Sequence, residues 1–184
     1  MFYSTYLGGT KDDEGAALVL TSNDDLIIAG HTTSEDFPPA DPIQAGLAGE
    51  ADIFVARISA DGSARLFGTY LGGEEGESVG GLALDPMGGI VVGGTTQSIT
   101  YPTTAGAFQE EFVGEINGCE IPFGLVFDCD DMFVTKLQED GGGLEFSTFV
   151  GYTTSADFPP VGIDTASEIV VPCWRPMGVT CSIW

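Results

Sequence analysis

The sequence predicts an all-β protein built from tandem copies of one four-stranded antiparallel unit. Three observations carry this prediction. The 184 residues include 27 glycines and 10 prolines, which interrupt the chain too often for long helices and suit many short strands. Short apolar runs alternate with polar turn sequences such as Ser22-Asn-Asp-Asp25, the pattern of hairpins. The same segments also return in the same order along the chain, and a fixed internal period marks a repeat architecture.

The strands follow in order from these repeats. Tyr3-Ser-Thr-Tyr-Leu-Gly-Gly9 returns as Phe67-Gly-Thr-Tyr-Leu-Gly-Gly73 and as Phe146-Ser-Thr-Phe-Val-Gly151. Residues 1–9 therefore read as the last strand of a preceding repeat. Residues 10–73 form repeat one. Its first hairpin spans apolar runs 15–21 and 26–32, and its second joins 53–59 to 65–71 through Asp61-Gly62. Residues 74–151 form repeat two. There, 79–84 and 90–95 flank Asp85-Pro-Met-Gly-Gly89, while 132–137 and 144–150 flank Glu139-Asp-Gly141. Asp52-Ile-Phe-Val-Ala-Arg-Ile58 matches Asp131-Met-Phe-Val-Thr-Lys-Leu137. A third element, Thr-Thr followed by an aromatic-Pro pair, occurs at 32–38, 95–102 and 153–159.

The period changes at one place. Tyr6 and Tyr70 stand 64 positions apart, but Tyr70 and Phe149 stand 79 apart. The difference matches an insert at 116–130, which carries Cys119 and Cys129. Beyond Gly151 the chain enters Tyr152-Thr-Thr-Ser directly, without the opening hairpin strand of a repeat. Residues 152–184 therefore read as a truncated, divergent third repeat and tail, native or an artefact of the reading frame, and are expected to pack poorly.

Leu26-Ile-Ile-Ala29 and Ile90-Val-Val92 are apolar at consecutive positions, as in strands covered on both faces. A four-stranded sheet covered on both faces and repeated along the chain fits the blades of a β-propeller. Two complete repeats make an incomplete ring, since closure takes at least about four blades. The outer faces are then expected to meet further repeats or to associate.

Charge narrows the function. Five Lys+Arg stand against 28 Asp+Glu, a formal −23. Such a field repels nucleic-acid phosphates and anionic lipid, so no nucleic-acid partner is expected. No apolar run approaches the ~18 residues of a membrane span. The first residues, MFYSTYLGGT, lack the basic and apolar regions of a signal peptide, which fits an internal piece of a longer chain.

Candidate chemical sites are few. Asp12, Asp13 and Glu14 cluster three carboxylates where Ca²⁺ could sit. The alternative is a solvated turn, because neither this segment nor its partner Glu74-Glu-Gly-Glu77 has the spacing of a calcium loop. His31, the one histidine, aligns through the Thr-Thr element with Gly94 and Tyr152, as an ordinary strand-end site would. Gly72-Gly73 and Gly80-Gly81 read as turn glycines, since Glu74, Glu75 and Glu77 would repel a bound phosphate. No catalytic residue and no cofactor is predicted. Cys119 and Cys129 bracket nine residues, a spacing that can close as a disulfide staple contributing roughly 2.5–3 kcal/mol. Cys173 and Cys181 can pair similarly. Disulfides imply an oxidising compartment, extracellular or at the cell surface.

The Tyr-Ser-Thr-Tyr-Leu-Gly-Gly segment resembles the bacterial and archaeal seven-bladed β-propeller (SBBP) repeats. So do Asp12-Asp-Glu-Gly15, the Thr-Thr-Ser-x-Asp-Phe-Pro loop, and the Asp-x-Phe-Val-Ala-Arg-Ile strand with its Asp-Gly-Ser turn. The resemblance covers about residues 2–160. It implies propeller blades in secreted or surface proteins and brings no catalytic residues. The expected function is a non-enzymatic scaffold for adhesion or for binding glycan or protein partners, with Phe123, Leu125 and Phe127 of the insert as contact candidates. The alternatives are a propeller module of an extracellular polysaccharide-acting enzyme and a degenerate fragment without a function of its own.

Overall fold

The computed structural model describes residues 3–37, 40–113, 119–121, 125–127, 130–153, 162–163, 169–172 and 180–183, with side chains for 3–37, 40–113 and 130–151. Every regular element among them is a strand. Sheet 1 contains β1 (Asp13–Leu20), β2 (Leu26–Thr32), β3 (Asp52–Ile58) and β4 (Arg65–Leu71), hydrogen-bonded in that order. Then follow β5 (Glu77–Leu84), β6 (Ile90–Thr96), the short pair β7 (Cys119–Ile121) and β8 (Leu125–Phe127), β9 (Asp130–Leu137) and β10 (Leu144–Thr153). Sheet 2 has the order β10-β9-β6-β5. All pairings in both four-stranded sheets are antiparallel. β11 (Gly162–Ile163), β12 (Ile169–Pro172) and β13 (Thr180–Ile183) form a third, three-stranded sheet.

The expected hairpins are present, and their turns have local causes. Asp24 adopts a left-handed φ of 63° in the β1–β2 turn, where Thr21 and Asp25 close the loop backbone to backbone. Gly62 and Gly141 take left-handed φ values of 71° and 74° in the β3–β4 and β9–β10 turns, a conformation that costs glycine least. Asp61 Oδ1 accepts bonds from the Ser59 and Ser63 hydroxyls and the Ser63 amide. These donors pull its carboxyl down to about 2.

A bulge recurs at one phase of the repeat, at Gly15/Ala17 on β1 and Val79/Gly81 on β5. Bulges disrupt the ladder locally and sharpen the twist. The strand opposite then passes so close that only glycine fits. A Cβ on Gly30 would lie 2.0 Å from the Glu14 carbonyl oxygen, and one on Gly94 would lie 1.9 Å from that of Ser78.

The two sheets pack face to face. Ile27, Ala29, Ile53, Val55, Phe67 and Leu71 of sheet 1 share one buried cluster with Ile90, Val92, Phe133, Leu137 and Phe149 of sheet 2. The consecutive apolar positions of β2 and β6 are explained by this stacking, because both faces of each strand need cover. The other face of sheet 1 carries Phe54, Ala56 and Tyr70 beneath Phe37, Leu7 and Leu47. An aromatic trio recurs here. Phe37 stacks on Phe54 with ring centroids 4.4 Å apart, and Tyr101 lies 4.4 Å from Phe133. The hydroxyl belongs to a different member each time: Tyr70 donates to the Ser34 carbonyl at 2.8 Å, while Tyr101 bonds Thr135 at 2.9 Å.

One expected alignment is corrected. His31 pairs with Ile53, and Thr95 pairs with Met132, the counterpart of Ile53. His31 therefore corresponds to Thr95, and Gly94 corresponds to Gly30. Thr32 matches Thr96 because each hydroxyl must reach an acid at the start of the preceding hairpin. Matching the Thr-Thr pairs by eye shifts this register by one residue. Residues 3–9 run beside sheet 1 without being assigned to a strand.

Candidate functional site

Carboxylates, half-buried at Asp13 and buried at Glu77, organise both junctions where one repeat hands over to the next. In sheet 1, Asp13 opens β1 and accepts the Thr32 hydroxyl on Oδ1. Its Oδ2 accepts the Ser34 hydroxyl at 3.0 Å and the Gly9 amide at 2.7 Å. In sheet 2, Glu77 takes the same place. Its Oε1 accepts the hydroxyls of Thr96 at 2.7 Å and Ser98 at 2.6 Å. Each Thr also receives the amide of its Ser at 2.9 Å, so one acid fixes the whole entry to the following loop.

A second acid closes the far end of that loop. Asp52 opens β3, is fully buried, and accepts the Gln44 side-chain amide and the Ala48 and Gly49 backbone amides. Gln44 Oε1 in turn accepts the Gly72 amide at 3.1 Å at the end of β4. The corresponding clasp in repeat two links Gln109 to Asp131 at 3.2 Å and to the Gly151 amide at 2.9 Å.

The two kinds of acid meet between the sheets. A Cβ on Gly72 would lie 2.4 Å from Glu77 Oε2 and 2.8 Å from Asp52 Oδ1. The glycine thus separates two buried carboxyls, one from each sheet. Glu77 is 4% exposed, its Oε2 is buried, and the Gly73 backbone amide lies against the carboxyl. Burial pushes the Glu77 carboxyl up to about 7, the Asp52 charge pushes the same way, and the Ser98 and Thr96 hydroxyls hold it partly back. Burial likewise raises the Asp52 carboxyl, against its amide donors. This arrangement can hold a proton near neutral pH. With Asp52 fully buried and Glu77 nearly so, it does not offer a surface to a polymeric substrate.

The acidic triplet does not converge. Asp13 points to Thr32 and Ser34, whereas Glu14 Oε2 lies 3.4 Å from His31 Nε2. Asp12 meets Thr33 through its backbone. Among the described residues no three His, Cys, Asp or Glu side chains gather. Cys119 begins β7 and Cys181 lies in β13, but their side chains, together with Cys129, Cys173 and Phe123, lie outside the described residues. The Leu125 and Phe127 side chains, at the ends of β8, do too. An open groove beside the first junction is lined by Lys11, Thr33, Glu35, Leu47 and Glu50, with Lys11 and Glu35 paired at 3.0 Å. No helix among the described residues is long and apolar enough to cross a membrane.

Sequence reasoning missed Glu77, Asp52 and Gln44 as the buried polar centre. The signal was present in the repeats: acids recur at 13 and 77 and at 52 and 131, and Gln at 44 and 109, while residues between them change. Comparison with known proteins finds no family model and no curated protein that matches this chain.

Proposed function

We propose that this chain is a non-enzymatic repeat scaffold, its sheets acting as blades of a β-propeller of the SBBP kind. In this reading it belongs to a secreted or cell-surface protein and presents its loops to glycan or protein partners. One observation supports the reading most: the same carboxylate, hydroxyl and glutamine contacts anchor the loop between second and third strands in both repeats. Loops held on a rigid frame are where recognition concentrates. The second loop carries the insert 116–130 and so is the variable one.

The test is binding of the immobilised chain to a panel of soluble polysaccharides and surface proteins. A variant lacking 116–130 should lose binding while keeping the parent melting temperature. Equal binding by parent and deletion variant would refute the loop as the contact surface. The alternative is a propeller module of an extracellular polysaccharide-acting enzyme, whose acids would have to lie elsewhere than at the buried Asp52–Glu77 pair. Release of reducing ends from the same polysaccharides would favour that alternative.

A further inference from the structure

We infer that residues 3–9 and the flank of β1 form a dock for three strands of a further repeat, with Tyr6 as the side chain the dock buries. The inference comes from contacts that repeat one period apart. The Tyr3 ring lies over the β3–β4 turn, where a Cβ on Gly62 would meet it at 2.3 Å. The Phe67 ring lies over the β9–β10 turn, where a Cβ on Gly141 would meet it at 2.1 Å. A Cβ on Gly8 would strike Asp13 Oδ2, and one on Gly72 would strike Glu77 Oε2. Lys11 donates its amide to Ser34 Oγ at 2.9 Å, and Glu75 donates to Ser98 Oγ at 2.9 Å. Residues 3–11 therefore lie on sheet 1 as residues 67–75 lie on sheet 2.

The likeness stops at strand pairing and burial. Residues 67–71 belong to β4 and pair with β3 along their length. Residues 3–9 have no strand partner among the described residues. Tyr70 is 0% exposed, whereas Tyr6, at the same phase, is 103% exposed. The contrast continues on β1. Leu82 and Leu84 of β5 pack against the shared core, while their counterparts Leu18 and Leu20 stand 69% and 59% exposed. Every one of these differences is what removing a neighbouring sheet would produce.

The interface between sheets 1 and 2 identifies the occupant. In sheet 2 this surface is covered by β1, β2 and β3 of sheet 1, all of which lie against β5, with β4 alongside them in the place that residues 3–9 take here. The occupant is thus a three-stranded unit ending in an Asp-x-Phe-Val strand, which adds residues 3–9 as its fourth strand by edge pairing. Both such strands among the described residues, β3 and β9, already pair with β4 and β10, so the occupant is supplied from outside them. The inference rests on the repeat reading but not on what the loops bind, and the loop assay above is indifferent to its outcome.

The test lengthens the full chain by joining a second copy of residues 10–64 ahead of Met1, which places Tyr3 in the register of Phe67. Nitration with tetranitromethane, mapped by mass spectrometry, reads the result. Tyr6 should be nitrated in the 184-residue chain and lose that reactivity in the longer one, matching Tyr70 in both. Tyr6→Ala should leave the melting temperature of the 184-residue chain unchanged and lower that of the longer chain. Equal nitration of Tyr6 in two folded chains would overturn the inference. If the longer chain does not fold, residues 10–64 added as a separate polypeptide should protect Tyr6 saturably, and failure to do so overturns it equally.

Discussion

Replacing Glu77 by Gln should make the protein more stable at alkaline pH and leave it nearly unchanged at acid pH. Glu77 sits between the sheets with Thr96 and Ser98 on Oε1 and with Oε2 buried, facing Asp52 across Gly72. Its carboxyl rises from the ordinary 4.5 to about 7 on folding. The folded state therefore holds a proton that the unfolded chain has released, so stability falls as pH rises. The contribution is complete below pH 4.5 and lost as pH climbs through about 7. At about 1.4 kcal/mol per pH unit, the loss is about 3 kcal/mol. Asp52 adds in the same direction, because its carboxyl is also raised. Tyr101, the other ionisable group coupled to Glu77, is pushed well above its ordinary value and stays neutral throughout. In Glu77→Gln the amide oxygen keeps both hydroxyl bonds, and its NH₂ faces Asp52 as a donor. Thermal denaturation of both proteins from pH 4.5 to 8.5 is the assay. The variant should gain on the parent between pH 4.5 and about 7 and then hold that gain, roughly 6–12 °C at pH 8.5 for a chain of this size. Parallel pH profiles would refute the buried-proton reasoning.

Four further outcomes follow. Gly72→Ala places a methyl between the two carboxyls and should cost roughly 1–3 kcal/mol, read as a lower melting temperature, whereas Gly106→Ala, with open space around it, should cost less despite its φ of 82°. Tyr70→Phe removes the donor to the Ser34 and Phe37 carbonyls and should cost about 1–3 kcal/mol, because buried acceptors are left unpaired. Calcium added under a calorimeter should give no stoichiometric isotherm, since both Asp13 oxygens are already engaged by the chain's own donors. Peptide mapping without reduction should link Cys119 to Cys129; free thiols at both positions would remove the staple and weaken the extracellular assignment.

The strands were legible because period and turn chemistry are local properties. The run 26–32 and the turn at Asp61-Gly62 need no partner to be recognised, and β2 and the β3–β4 turn lie where expected. The stacking of sheets was legible in Ile90-Val-Val92, whose consecutive apolar residues leave no face for water. The junction acids were not. Asp12-Asp-Glu14 reads as one charged cluster along the chain, yet successive strand residues point to opposite faces, so Asp13 turns inward while Glu14 meets His31. The same ambiguity hid Glu77 among Glu74 and Glu75. The one-residue shift at His31 has a similar origin: Thr33 and Gln97 lie between the Thr and Ser that bind the acid, and only the contact shows which Thr is which.

The glutamine clasp has a consequence for how this chain can change. Gln44 and Asp52 close a short loop, while Gln109 and Asp131 make the same contact across the longer span that contains the insert. Lengthening a closed loop from 8 to 22 residues adds only about 1 kcal/mol of closure entropy. Added length between the two clasp residues thus costs the strands beneath them little. The loop behaves as an exchangeable cassette held at its base, so new surfaces can be tried there while the register of β3 and β4 stays fixed.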